Sequence, residues 1–283
     1  MERRQFLSTT LGASLLASAA AEGFSPAGGG VEHASGAPGQ EKPSVPAASP
    51  SYYVWLEYTL RNGPQQKRMA DFLQNALVPA LNRLGSTPVG VFQELVGDPG
   101  PTISVLMPFA TVDLLMTHEA ALGKDQDFLR AADLYFNSPA TDSSYVRRET
   151  SLLQAFPNVP KIEVPAATAS KGPRLLELRT YESHGEAALR KKMSMFTEMG
   201  EMEIFRKTGL TPVFFARTLI GQRQPNFVYM LVHENLAARE KNWDTFRNSP
   251  DWKKLASTPG FADAEILTNI TTKFLRPTAY SQI

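Results

Sequence analysis

Hydrophobic positions from residue 52 onward follow two periods, one of two residues and one of three to four residues. Residues 54–60 and 175–182 are rich in alternating apolar positions, which predicts a strand in each range. After Pro64, apolar side chains recur at helical spacing until Gly85 ends the run. This pattern predicts a long helix, in which Pro79 is a candidate site for a kink.

The remaining elements repeat in both halves of the chain. Residues 89–96 and 102–107 predict a hairpin, and a second helical region follows it. Gly123 interrupts that region in the first half; in the second half Ser249 can cap a new helix whose first residue is Pro250. A last strand is predicted over 145–156 and over 266–275. The order βαββαβ is the ferredoxin-like pattern, with both helices on one face of an antiparallel sheet.

Short matching segments show that the two halves repeat each other. Residues 85–89 (GSTPV) match 209–213 (GLTPV), and residues 103–109 match 227–233, both at an offset of 124. Leu56-Glu57 matches Leu176-Glu177 at an offset of 120, and residues 137–139 match 248–250 at an offset of 111. The smaller offset indicates about 13 extra residues near 123–127 in the first copy.

These matches predict an α+β fold made of two tandem ferredoxin-like βαββαβ units, residues 52–165 and 174–283. The helices of each unit cover one face of its sheet, so the other face must be buried against something else. We expect the two sheets to pack face to face and to form a barrel within one chain. The connector from 165 to 173 spans up to about 30 Å, which is long enough for that arrangement.

The first 51 residues have a different character. Arg3, Arg4, Phe6 and Leu7 precede a mildly apolar run that ends in small residues, which is typical of a twin-arginine signal peptide over residues 1–21. Pro, Gly, Ala and Ser then fill 20 of the 29 positions from 22 to 50, which predicts a disordered linker over 22–51. We therefore expect an exported protein, periplasmic or secreted.

The composition excludes several classes of function. The formal net charge is +1 with both signs intermixed, so there is no basic surface for nucleic acid. The chain has no Cys, which removes disulfides and thiolate chemistry. Beyond the leader there is no run of about 20 apolar residues, so no membrane span is expected after signal cleavage.

Several segments of the second unit resemble the NIPSNAP family of the dimeric α/β-barrel superfamily. They are Glu177-Leu178-Arg179-Thr180-Tyr181-Glu182, Gly209-x-Thr211-Pro212-Val213 and Trp243-x-x-Phe246-x-x-Ser249-Pro250-x-Trp252. The first unit has a similar layout, but Ala132 and Thr141 stand where the second unit has Trp243 and Trp252. The resemblance implies the barrel fold and a possible homo-oligomer. It implies no agreed activity, although relatives with the same barrel include haem enzymes, cofactor-free monooxygenases and isomerases.

Polar residues on the predicted strands form the candidate ligand site. In the strand over 175–182 the apolar set is expected to face the helices, which leaves the other set to point into the barrel. The alternative is a buried ion pair without function. The candidate site inside the barrel consists of Glu57, Glu177, Arg179, Tyr181, His184, Arg217, Tyr229 and His233.

His184 and His233 are the histidines considered for catalysis, as a general base or an axial haem ligand. Neither has a partner at metal-binding spacing, so no metal and no cofactor are predicted, with haem as the alternative. The sequence also lacks nucleophile and phosphate-binding motifs. It therefore favours a protein that binds a small ligand or a protein partner without catalysis. The alternative is a small-molecule enzyme of the monooxygenase or isomerase type that uses polar residues in the barrel.

Overall fold

The computed structural model describes residues 51–96, 100–170 and 172–283. The predicted signal peptide, with Arg3, Arg4, Phe6 and Leu7, lies outside these ranges, as does all but the last residue of the predicted linker.

Antiparallel strands close into a barrel within the described part of the chain. Their order around the barrel is β1-β3-β2-β8-β5-β7-β6-β4. Because the barrel is closed, β4 lies beside β1, so the four strands of the first half are adjacent in the order β4-β1-β3-β2 and those of the second half in the matching order β8-β5-β7-β6. This confirms the predicted α+β fold with an antiparallel sheet that closes into a barrel. The strands are β1 (Tyr52–Thr59), β2 (Gly90–Glu94), β3 (Thr102–Phe109), β4 (Arg147–Ala155), β5 (Leu175–Glu182), β6 (Thr211–Ile220), β7 (Asn226–His233) and β8 (Asn269–Pro277).

Two seams join the halves. Strand β2 pairs with β8, from Phe92 opposite Pro277 to Glu94 opposite Leu275. Strand β4 pairs with β6 and carries a register shift at Leu152. The two sheets therefore face each other across the barrel and are also hydrogen-bonded at both edges, which leaves no free sheet edge.

Helices cover the outside of each half. The first helical region contains a π-helical segment over Phe72–Leu77, in which the Val78 N–H donates to the Leu73 carbonyl. Because Pro79 has no N–H and crowds the preceding turn, the wider π turn before it replaces the predicted kink. The helices are α1 (Pro64–Asp71), α2 (Val78–Arg83), α3 (Val112–Leu122), α4 (Gln126–Ala131), α5 (Asp133–Phe136), α6 (Ala166–Ala169), α7 (Glu186–Thr197), α8 (Glu201–Lys207), α9 (Leu236–Asn248), α10 (Pro250–Ala256) and α11 (Asp263–Ile266), with a 3-10 turn at Ala140–Asp142.

The break between α9 and α10 forms as the sequence predicts. The Ser249 hydroxyl accepts a hydrogen bond from the Trp252 N–H at 3.1 Å, and Pro250 is the first residue of α10. None of the helices in the described ranges is long and apolar enough to cross a membrane.

Buried apolar side chains form three clusters. One lies in the barrel interior and includes Tyr53, Trp55, Leu178 and Phe214. A second lies between the sheet of the first half and helices α1–α5; we call this space the first layer. A third lies between the sheet of the second half and helices α7–α11; we call it the second layer. Apolar residues are therefore buried on both faces of each half-sheet, although much of β4 and β8 is exposed or only half-buried.

Candidate functional site

A buried carboxylate on β5 organises the polar groups of the second layer. The Glu177 side chain has no solvent exposure and accepts hydrogen bonds from Arg179, Arg239, His233 and Trp243. Its Oε1 lies 3.0 Å from Arg179 Nη1 and 2.7 Å from Arg239 Nη2. Its Oε2 lies 3.0 Å from His233 Nε2, 2.8 Å from Trp243 Nε1 and 3.2 Å from Arg239 Nε. We call these five residues the Glu177 cluster.

The cluster keeps Glu177 ionised. Burial alone would raise the pKa of Glu177, but the hydrogen bonds from His233, Arg239 and Trp243 and the charge of Arg179 outweigh it. The pKa of Glu177 therefore lies far below its ordinary value. A carboxylate with every lone pair occupied has a structural role in this geometry, because no acceptor is left for a substrate.

Two tyrosines extend the cluster along the sheet. The Tyr229 hydroxyl donates to the Tyr181 hydroxyl at 2.9 Å, and burial raises the pKa of Tyr229 well above its ordinary value. The Arg179 guanidinium lies 4.6 Å from the Trp243 ring centroid and 5.5 Å from that of Tyr181. These contacts bring Arg179, Tyr181 and Tyr229 together, as the sequence predicts, but among packed aromatic rings.

The predicted orientation of β5 is wrong. Leu176 and Leu178 belong to the barrel interior, whereas Glu177 and Tyr181 face the helices of the second layer. Period-two alternation separates the two faces of a strand, but it does not tell which face meets the helices when both are buried. Helix α9 shows which face of β5 meets the helices, because its Trp243 donates a hydrogen bond to the Glu177 carboxylate.

The predicted equivalence of Glu57 and Glu177 is also wrong. Met107 pairs with Val54 and Leu231 pairs with Glu177, and the repeat matches Met107 with Leu231. Val54 is thus the counterpart of Glu177 in the first half. Glu57 does lie on the barrel interior, three residues further along β1, where it lines a cavity of about 270 Å³ that we call the interior cavity.

His184 and Arg217 do not join the other candidates. His184 is exposed in the loop after β5, and Arg217 is exposed on β6. His233, at the end of β7, is fully buried and bonded to Glu177. The structure therefore places five of the eight predicted residues in the second layer, one inside the barrel and two on the surface. The five are Glu177, Arg179, Tyr181, Tyr229 and His233.

A second buried ionic group lies in the same layer. Lys192 Nζ is 3.2 Å from both carboxylate oxygens of Glu201 and 2.9 Å from Asp263 Oδ1. Burial raises the pKa of Glu201 to about 7, although the charge of Lys192 opposes this. Sequence analysis did not predict this pair. Lys192 and Glu201 lie on separate short helices, and no local sequence pattern indicates that the two side chains are in contact.

A cavity of about 360 Å³ lies in the first layer; we call it cavity A. Val54 and Leu56 of β1 form part of its wall. Its helical wall includes Gly123 and residues of α4 and α5, which coincide with the extra segment that the offset change indicated. The extra residues were the one feature of the sequence that indicated a difference between the two halves at the place where the cavity lies. The lining residues are Val54, Leu56, Tyr58, Phe72, Leu77, Met107, His118, Glu119, Leu122, Gly123, Phe128, Leu129, Tyr135, Phe136, Arg148 and Thr150.

The lining of cavity A is largely apolar and includes a few polar groups. Aromatic and aliphatic side chains dominate the lining, while His118, Tyr135 and Arg148 supply polar atoms. Burial raises the pKa of Tyr135 and of Tyr58, so both phenols are neutral donors near pH 7. This composition is typical of a pocket for a small organic molecule.

Neither of the two histidines considered as axial haem ligands, His184 and His233, lines a cavity of the described part of the chain. His184 lies on the surface, and His233 has its Nε2 on Glu177 and lines neither cavity A nor the interior cavity. Among the described residues, no group of three or more His, Asp or Glu side chains is placed to hold a metal ion.

Comparison with family models finds a match in the second half of the chain. Residues 176–282 match the NIPSNAP family. A comparison with curated proteins finds no match. The NIPSNAP match thus includes the whole Glu177 cluster, while cavity A lies in the half outside it.

Solved structures share the barrel fold. A candidate monooxygenase from Lactobacillus acidophilus NCFM is 10% identical and has a TM-score of 0.53, over 81% of this chain and 94% of that chain. A candidate monooxygenase from Fusobacterium nucleatum is 8% identical with a TM-score of 0.52, over 81% and 93%. An uncharacterized NIPSNAP-like domain protein from Burkholderia xenovorans is 21% identical with a TM-score of 0.34, over 38% and 88%. At these identities the likeness to the first two shows the fold alone.

Proposed function

We propose that this protein binds a small, largely apolar organic molecule in cavity A without transforming it. The observation that carries the proposal is the cavity of about 360 Å³ in the first layer. An apolar cavity of about 150 Å³ is enough to bind benzene, so cavity A has room for a bicyclic molecule.

Polar groups in the lining can give the ligand an orientation. His118, Tyr135 and Arg148 are among the polar residues of a largely apolar lining. A ligand with one hydroxyl or carboxyl group can direct that group to these side chains and its apolar part toward Val54 and Leu56 of the strand. Binding without catalysis is the leading proposal, because aromatic and aliphatic side chains dominate the lining.

The test uses 1-naphthol as a probe, titrated into the purified protein and followed by calorimetry. We expect saturable binding of one molecule. Leu122→Trp adds bulk to the cavity wall and should weaken binding at least tenfold. Met116→Trp is the matched control, because Met116 is on the same helix and 75% exposed. Equal binding by both variants, or no saturable binding to the parent protein, would refute the proposal.

We also propose that the two halves derive from one duplicated unit of the NIPSNAP type. The same strand order in each half and the repeated segments at an offset of 124 support this. Because the strands of one chain already close the barrel, pairing with a second chain is not needed for closure.

Export through the twin-arginine route is proposed from Arg3, Arg4, Phe6 and Leu7. Replacing Arg3 and Arg4 by Lys should keep the protein in the cytoplasm, as judged by cell fractionation. Full export of that variant would contradict the proposal.

A further inference from the structure

The interior cavity differs from cavity A in the chemistry of its lining. Its four apolar lining residues are Trp55, Leu153, Leu178 and Val228, and every other lining residue has a polar or charged side chain. Trp55, Leu153 and Leu178 also belong to the buried cluster of the barrel interior. A largely apolar molecule of the kind proposed for cavity A would leave most of these polar groups without partners, so we expect a ligand of a different class here.

Hydroxyl and amide groups reach the interior cavity from the four neighbouring strands of the second half. Thr180 of β5 is directly opposite Thr271 of β8, and both line the cavity. Thr218 of β6 donates a hydrogen bond to Asn226 of β7 at 2.5 Å, and both of these residues line it as well. Because a hydroxyl can donate one hydrogen bond and accept others, this wall offers both donors and acceptors to a ligand.

The charged residues of the lining balance each other. Lys273 Nζ of β8 lies 2.5 Å from Glu57 Oε1 of β1, although these two strands are not adjacent in the barrel. Glu149 and Arg223 add one more charge of each sign to the lining. Equal numbers of cations and carboxylates favour neither a ligand with a net positive charge nor one with a net negative charge.

The loop between β6 and β7 borders the cavity on its exposed side. Gln222 and Arg223 of this loop line the cavity and are exposed, so a ligand can enter beside them. Arg223 has a φ of 57°, in the left-handed region that residues with a side chain seldom adopt. Its Nη1 lies 3.3 Å from Thr271 Oγ1, which keeps the guanidinium next to the hydroxyls of the wall.

We propose that the interior cavity binds a small neutral polyol with one six-membered ring. The ligand's hydroxyls would exchange hydrogen bonds with the threonines and the charged groups of the wall, and its ring carbons would pack on Trp55 and Leu178. An apolar cavity of about 150 Å³ is enough for benzene, so about 270 Å³ has room for such a ring and its hydroxyls. This site is separate from cavity A, and the proposal does not depend on the function proposed for cavity A.

The test uses myo-inositol as the probe, titrated into the purified protein and followed by calorimetry. We expect saturable binding of one molecule. Two competitors then examine the chemistry of the site. Cyclohexanol keeps the six-membered ring with a single hydroxyl, and L-glutamine is a zwitterion of similar size. Neither compound, at the same concentration as myo-inositol, should displace it.

Variants locate the binding in the interior cavity. Thr180→Val removes one hydroxyl from the wall and keeps the shape of the side chain, and it should weaken myo-inositol binding about fivefold. Gln222→Ala, in the exposed loop, should weaken it by a similar factor. Thr211→Val is the matched control and should leave the affinity unchanged, because Thr211 is exposed at the start of β6 and does not line the cavity.

A second measurement separates a binding defect from misfolding. Without ligand, Thr180→Val and Thr211→Val should both melt within a few degrees of the parent protein, because Val favours strands as Thr does. myo-Inositol should raise the melting temperature of the parent protein and of Thr211→Val, and that of Thr180→Val less. No saturable binding, displacement by cyclohexanol or L-glutamine, or an affinity that is the same in Thr180→Val, Gln222→Ala and Thr211→Val would overturn the proposal.

Discussion

The two helix-covered layers rest on strands in the same order, yet their contents are opposite in chemistry. In the first layer Val54 and Leu56 face an apolar cavity. In the second layer the residues in register with them are Glu177 and Arg179, and no space is left at the Glu177 carboxylate. The comparison teaches that this fold tolerates either a filled polar layer or an open apolar one.

The helices complement the strands in each layer. Trp243 of α9 packs on the second sheet, is 5% exposed and donates to Glu177. The sequence repeat puts Ala132 at the matching position in the first half, where it is fully buried. The first layer therefore has a methyl group where the second layer has an indole that donates to the buried carboxylate.

The largest expected effect comes from removing the buried carboxylate. Glu177→Ala leaves two guanidinium groups, an imidazole and an indole N–H without their acceptor, and should cost about 3–5 kcal/mol of unfolding free energy. Leu56→Ala, at the position in register with Arg179, should cost about 2 kcal/mol, because the site already borders a cavity. Urea denaturation measures both. Equal costs would mean that the two layers do not differ energetically.

A smaller effect is expected from removing one donor while keeping an aromatic ring. Trp243→Phe deletes the 2.8 Å hydrogen bond to Glu177 and should cost about 1–3 kcal/mol. Trp252→Phe is the control, because Trp252 is half-buried and its indole N–H makes no hydrogen bond to a described residue. If both variants lost the same stability, ring volume rather than the polar bond would stabilise the second layer.

The smallest expected effect is a pH dependence confined to the second layer. Because the folded pKa of Glu201 is about 7 and its ordinary value is 4.5, its contribution to stability is full below about pH 4.5 and is lost as pH rises through 7. Glu177 titrates far lower, so its stabilising charge persists over that range. Between pH 5 and 8 the melting temperature of the parent protein should fall by a few degrees more than that of Glu201→Gln. Parallel profiles would contradict this assignment.

The barrel could be predicted from the sequence. The spacing of apolar residues identifies each strand and helix, and residues such as Gly85 and Pro250 mark where helices end or begin. The alternation on β5 likewise separates Glu177 and Arg179 from Leu178. The alternation of apolar and polar residues does not show on which face of the strand the helices pack. That information lies in Arg239 and Trp243, more than 60 residues away along the chain.

The cavities were beyond sequence reasoning for a different reason. A cavity is the volume that side chains leave unfilled, so it depends on how distant elements fit together rather than on any one segment. The extra residues near Gly123 showed that the first half differs there, but not that they would form a wall.

The two seams of the barrel, β2 with β8 and β4 with β6, join strands of one polypeptide. A barrel assembled from two identical subunits obeys a two-fold axis, so each substitution occurs twice and every pocket has a twin. Here each substitution occurs once. One half can therefore hold an apolar cavity while the other keeps its buried ion pairs. Because both halves belong to one chain, their sequences can differ in a way that the two-fold symmetry of a homodimer does not allow.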